Sequence, residues 1–127
     1  MSVEEELLLS VKELWDEGRF YEAHELLEDI WRLFPKEDKL SRNCYQGIIR
    51  LAIALYHYNS GKKDSALRVL YKVKPQLEAC PKTFRYVDTS LLLSFVMSCI
   101  KALEEGREIE SFVAFPIIKY FYEFENL

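Results

Sequence analysis

The chain has 127 residues, half of them hydrophobic and 30% charged, which is the composition of a folded globular protein and excludes a disordered one. Its 21 acids against 17 bases leave a charge of −4, with the bases scattered, and this argues against a dedicated nucleic-acid binder. The longest apolar runs, Ile48–Tyr58 and Leu91–Ile100, fall short of the ~20 residues that span a membrane.

Polar and apolar residues nowhere alternate for long, and glycine and proline are few, so the period of 3.6 residues makes the whole chain helical. Ser2 and Glu5 have the spacing of a capping box for a first helix that runs to about Glu17 and stops at Gly18. The triplet Glu4-Glu5-Glu6 then reads as a solvated helix start. A second helix covers about Arg19–Leu33 and ends before Pro35, and a third covers about Asp38–Ser60 and stops at Gly61. A fourth starts near Lys63, and Pro75 should end or kink it.

Gln76–Val87 holds Pro81 and no clear period, and reads as the longest connection. Asp88 can cap a fifth helix over Thr89–Glu105, closed by Gly106. It is apolar nearly all round, so it is expected to be the central, most buried helix. The aromatic end, Glu110–Leu127, with Phe112, Phe115, Tyr120, Phe121, Tyr122 and Phe124 around Pro116, predicts a sixth, kinked helix.

An internal repeat supports the layout. Gly18-x4-Ala23-x3-Leu27 returns as Gly61-x4-Ala66-x3-Leu70, and more weakly from Gly106 with Ser111 and Phe115. The expected fold is all-α, a compact single-domain bundle of five to six helices over 1–127 built from helical hairpins. It is tetratricopeptide-like at most distantly. The acidic start, unlike a basic signal peptide, points to the cytoplasm. Cys44, Cys80 and Cys99, odd in number and without Cys-x-x-Cys spacing, read as reduced and mostly buried thiols.

The chemistry concentrates in two helices. In Glu22-Ala23-His24-Glu25-Leu26-Leu27-Glu28-Asp29-Ile30-Trp31, helical spacing sets His24 and Glu28 one turn apart, beside the face that buries Ala23, Leu27 and Trp31. On the third helix Arg50 is the one formal charge between Arg42 and Lys62, and Gln46, Arg50, Ile53 and His57 share a narrow sector. A guanidinium on so apolar a helix calls for an acidic partner or an anionic ligand. Antiparallel packing of the two helices would bring Glu28, with Glu25, toward Arg50, and His24 toward Gln46 or His57.

Three readings stay open. The pairing can fix helix register and nothing more. It can line a cleft for a small anionic ligand or peptide, with His24, Glu25, Glu28, Trp31, Gln46, Arg50 and His57 as contacts. It can also serve a hydrolase-like reaction, with His24 as base, Glu28 orienting it, Arg50 clamping an anion and His57 as acid. A metal variant uses His24, Glu28 and His57 as ligands, although Glu28 stands where a zincin motif has its second histidine. No cofactor is required by these residues, and a homodimer is an expected partner state.

The segment Gly18-Arg19-Phe20-Tyr21-Glu22-Ala23-His24-Glu25-Leu26-Leu27-Glu28 with Trp31, followed by Gln46-Gly47-Ile48-Ile49 and Leu51-Ala52-Ile53-Ala54-Leu55-Tyr56-His57 up to Gly61, resembles domain-of-unknown-function family 309. The resemblance covers about Leu8–Leu70. It implies a compact helical bundle, no established activity, and signature positions at His24, Glu25, Glu28, Trp31, Gln46 and His57. Arg50 departs from the neutral residue frequent in that family, and Lys62 from its asparagine.

Overall fold

Ser2 starts the first helix as its spacing predicts: the Ser2 hydroxyl accepts the Glu5 N–H, and the Glu5 carboxylate accepts the Ser2 N–H. In the computed structural model, which describes residues 1–118, five helices follow in order. They are α1 (Val3–Asp16), α2 (Phe20–Trp31), α3 (Lys39–Asn59), α4 (Lys63–Glu78) and α5 (Thr89–Glu104). Asp38 caps α3 through the Ser41 N–H, a bond that holds its carboxyl below the usual range, and Asp88 caps α5 through the Leu91 N–H. Gly18 and Gly61 end α1 and α3 at φ of 80° and 79°, a conformation that disfavours residues with a Cβ.

The helices pack in chain order, α1 on α2, α2 on α3, α3 on α4 and α4 on α5. The repeat read from the sequence is real for two hairpins, α1–α2 and α3–α4. Ala23 and Leu27 of the first and Ala66 and Leu70 of the second are buried at the matching places. At the centre lies α3, which buries Cys44, Tyr45, Ile48, Leu51, Ala52, Ala54 and Leu55. α3 and α4 approach closely at Gly47, where a Cβ would stand 3.2 Å from both Gln76 Cβ and Leu77 Cδ2.

Five expectations need correction. α5 is last in the row, packs on α4, and leaves Leu91 and Met97 half exposed, so α3 and not α5 is the central helix. Of the two outcomes expected at Pro75, an end or a kink, the end does not occur, and α4 continues to Glu78. The proline removes the bond to the Tyr71 carbonyl near the helix end, and Tyr71 is an exposed residue.

Third, residues 107–118 form no helix but an extended strap, with an isolated bridge from Ile117 to Val87. Pro116 disfavours a helical Phe115, and the strap's backbone bonds to side chains instead. The Trp15 indole N–H donates to the Val113 carbonyl, the Phe115 N–H to Asp16, and Lys12 to the Phe115 carbonyl. Tyr58, at the place in its hairpin equivalent to Trp15, accepts the Ile109 N–H at 2.9 Å. Phe112 packs on Phe20, Tyr58 and Phe95. The remainder of the expected sixth helix, with Tyr120, Phe121, Tyr122 and Phe124, lies outside the described residues.

Fourth, Cys44 and Cys80 are joined in a disulfide that ties α3 to the end of α4, and Cys99 alone is free and buried. Reduced thiols therefore no longer argue for the cytoplasm. Among the described residues no helix is long and apolar enough to cross a membrane.

Fifth, Glu4 is not solvated. It is 6% exposed, and its carboxylate accepts the Tyr45 hydroxyl and a bidentate pair of bonds from Arg85 at 2.6 and 2.7 Å. Burial and the adjacent carboxylate push the Tyr45 phenol far above its ordinary range. Arg85 holds this position at φ 53°, with its guanidinium over the Phe34 ring.

Candidate functional site

α2 turns its apolar side, Phe20, Ala23, Leu27 and Ile30, into the core, which leaves Tyr21, His24, Glu28 and Trp31 along the border. His24 and Glu28 meet as their spacing predicts, with Nε2 2.7 Å from Glu28 Oε1, and the His24 side chain is 12% exposed. The Nδ1 atom of the same ring faces the Tyr21 carbonyl. Both neighbours are acceptors, so the ring satisfies both only with a proton on each nitrogen.

Glu28 does not reach Arg50. Its second contact is Arg32, 3.5 Å away at the C-terminal cap of α2. Arg50 Nη1 donates instead to the side-chain oxygen of Gln76 on α4, at 2.9 Å. Gln76 is the hub that sequence reasoning missed. Its amide nitrogen donates to Gln46 at 3.0 Å and to Asn43 at 3.3 Å, and its carbonyl accepts from the Asn43 side chain. Gln76–Glu78 continue α4 past Pro75 instead of opening a connection, and this turn of helix carries Gln76 against α3.

Trp31 closes the other end of the α2–α3 border. Its indole N–H donates to the Arg42 carbonyl, and the Arg42 guanidinium lies 3.8 Å over its ring while donating to the Phe34 carbonyl. Glu25 faces outward and makes no ion pair among the described residues.

His57 is half buried, and its Nδ1 is a buried atom with no hydrogen-bond partner in the described structure. Its ring touches Tyr56, Tyr56 touches Tyr21 at 5.2 Å between centroids, and Tyr21 touches His24. The two histidines thus share one aromatic patch with two tyrosines between them. Among the described residues no three His, Cys, Asp or Glu side chains are grouped to hold a metal, so His24, Glu28 and His57 do not form a three-ligand set.

Six of the seven positions marked in the sequence therefore fall along one surface. His24, Glu28 and Trp31 line the α2 border, Gln46, Arg50 and His57 line α3, and Glu25 stands outside them. Tyr21, Arg42, Tyr56 and Gln76 complete it. The chemistry of this surface is donation of hydrogen bonds and positive charge, flanked by aromatic rings. Better enclosed hollows lie under the strap, one of about 260 Å³ beside Phe95 and Cys99 and one of about 420 Å³ beside Trp15 and Phe112.

This is an all-helical protein of two hairpins and a fifth helix, bound by a strap. Residues 8–69 match the sequence model of the family described as domain of unknown function (DUF309). An uncharacterized protein of Aquifex aeolicus (strain VF5) is 34% identical over 110 residues, which is 87% of this chain and 32% of that protein. The chain thus spans about a third of the length of this relative. The seven positions marked in the sequence all fall inside the matched span, whereas Gln76, Glu4 and Arg85 fall outside it.

Proposed function

We propose that this protein is an interaction module whose contact face is the outward stripe of α3 with the α2 border beside it, and that the face receives an acidic segment of a protein partner. One observation carries the reading. Arg42 and Arg50 are both half buried, and neither has a carboxylate within ion-pair distance among the described residues. Their neutral partners, two oxygens and an indole ring, fix the guanidinium planes without neutralising them. Half-desolvated guanidinium groups held in place and left uncompensated suit bidentate recognition of carboxylates.

The surroundings fit the same use. Tyr21 and Tyr56 are 49% and 41% exposed, and tyrosine and arginine are the residues enriched where proteins meet. His24, with acceptors on both sides of its ring, suits a fixed donor better than a general base, which sets binding ahead of hydrolysis.

The reading is tested by amide chemical-shift mapping of isotopically labelled protein with a poly-glutamate peptide of about twenty residues. Shifts are expected to cluster at Arg42, Gln46, Arg50, Ile53 and His57, and to fade at 1 M salt, where the Debye length falls to about 3 Å. Scattered shifts, or none, overturn the reading. Shifts with inorganic phosphate and none with the peptide overturn the macromolecular partner.

A further inference from the structure

The acidic segment that fits this face is present in the chain itself. α2, Phe20–Trp31, carries Glu22, Glu25, Glu28 and Asp29 and no lysine or arginine. α3, Lys39–Asn59, carries Lys39, Arg42 and Arg50 and no acid. Two neighbouring helices of opposite charge are expected to pair internally, yet no ion pair joins them among the described residues. The carboxylates of α2 pair with Arg19 and Arg32 at its own ends or with His24, and Glu25 pairs with none. The α2–α3 pair thus presents an acidic ridge and a basic stripe side by side, each uncompensated by the other.

We infer that a second copy of this chain covers this face, with the α2 ridge of each protomer on the α3 stripe of the other about a two-fold axis. A two-fold contact is self-complementary when one patch carries both signs next to each other, because rotation lays acid on base twice. The spacing agrees. Arg42 and Arg50 are eight residues apart, about 12 Å along the helix, and Glu22 and Asp29 are seven apart, about 10.5 Å. Glu25, exposed and without an ion pair among the described residues, lies between Glu22 and Asp29 and adds to the acid facing the stripe. The exposed pairs Arg19–Glu22 and Arg32–Asp29 are easily exchanged for contacts across the axis, since such surface pairs contribute little. Tyr21 and Tyr56 would lie near the centre of the contact and supply its apolar part.

This inference rests on the proposed contact face and names its partner. The test uses the full chain in sedimentation velocity over a range of concentrations and salt. The wild type is expected to dimerise reversibly and to dissociate at high salt. Glu25→Lys, at an exposed position, and Arg50→Glu should each weaken self-association by about tenfold or more, because each places like charges opposite one another twice.

Mixed together, the two variants should form a heterodimer of near wild-type affinity, since every opposed pair is then again of opposite sign. Melting curves of each variant establish that it is folded. Glu25→Lys carries the test if Arg50→Glu is not. A dimer indifferent to both reversals, or no restoration on mixing, overturns the inference. A wild type that stays monomeric also overturns it. In that monomer, poly-glutamate shifts on α3 would leave the contact face standing, and their absence would overturn both.

Discussion

Glu4, Tyr45 and Arg85 meet from segments 41 and 81 residues apart, and the three side chains close on one another around a buried carboxylate. His24 and Glu28 lie one turn apart on one helix, and Arg42 and Arg50 bind neutral oxygens at the surface with no carboxylate paired to them among the described residues. The first cluster binds α1, α3 and the α4–α5 connection into one body, and the Arg85 charge is spent on the buried Glu4 carboxylate. The second is held by local bonds, so its removal loosens little, and it keeps donors and charge for something else. A polar group's sequence range thus separates two uses of similar residues: long-range closure serves stability, and local fixation at a border serves recognition.

The disulfide lies between the two regions, with Cys44 next to Tyr45 and Cys80 four residues beyond Gln76. It closes a loop with a sequence separation of 36, for which the chain-entropy account gives about 4 kcal/mol. Reduction, or Cys44→Ala with Cys80→Ala, should lower stability by about that amount in urea unfolding. A loss below about 1 kcal/mol would mean that α3 and α4 are already fixed by their packing at Gly47. Binding of the α3 face to poly-glutamate should survive, because no cysteine belongs to it. If binding is lost with the disulfide, the two regions are mechanically one.

Arg85→Ala tests the buried cluster directly. It leaves a carboxylate that is 6% exposed with the Tyr45 hydroxyl in place of the bidentate guanidinium, and should cost about 3 kcal/mol. Arg50→Ala, which removes a bond to a neutral amide on a half-buried residue, should cost under about 1 kcal/mol and yet abolish acidic-peptide binding. Equal costs for the two substitutions would erase the distinction between the clusters.

Much of this was legible in the sequence, for reasons that can be stated residue by residue. Ser2 with Glu5, Asp38, Asp88, Gly18, Gly61 and Gly106 act through bonds to nearby backbone or through their own φ, so helix bounds followed from them closely. His24 and Glu28 were legible because their contact depends on one helical turn. Arg50 was half legible. Its need for a partner follows from the apolar helix around it, but the partner, Gln76, depends on how α4 crosses α3. Glu4 with Arg85, Cys44 with Cys80, and the strap on Trp15 and Asp16 join residues 36 to 99 positions apart, and no local spacing encodes them. The strap also shows tertiary bonds to Val113 and Phe115 overriding the helical reading of an aromatic segment.

Alkaline pH offers a weaker probe of the same contrast. Tyr45 ionises far less readily in the folded protein than in the unfolded chain, through burial and the Glu4 carboxylate. The buried thiol of Cys99 is pushed up to about 12 by desolvation. For each group the folded state keeps a proton that the unfolded state releases, so stability is full below the unfolded values and falls as pH rises above about 9 to 10. One such group gives a slope of up to about 1.4 kcal/mol per pH unit. Tyr45→Phe should remove its share of the slope in melts between pH 9 and 11. A slope unchanged by Tyr45→Phe would place the alkaline transition outside the buried cluster.

An equally small effect on stability is expected at His24. His24→Ala removes an i,i+4 contact with Glu28 and a bond to the carbonyl of Tyr21, both on its own helix and at its border. Such helix-surface pairs are worth about 0.2–0.5 kcal/mol, so urea unfolding should move by no more than about 1 kcal/mol. The same substitution frees the Tyr21 ring, which packs on His24 at 4.7 Å and on Tyr56 at 5.2 Å. Acidic-peptide binding should therefore weaken although His24 carries none of the guanidinium charge, through loss of order in the aromatic patch beside Arg50. His24→Gln, which can donate from its amide to one of the two acceptors, should recover part of that binding. Full binding in His24→Ala with a large loss of stability would reverse the assignment and make His24 and Glu28 a structural pair like Glu4 and Arg85.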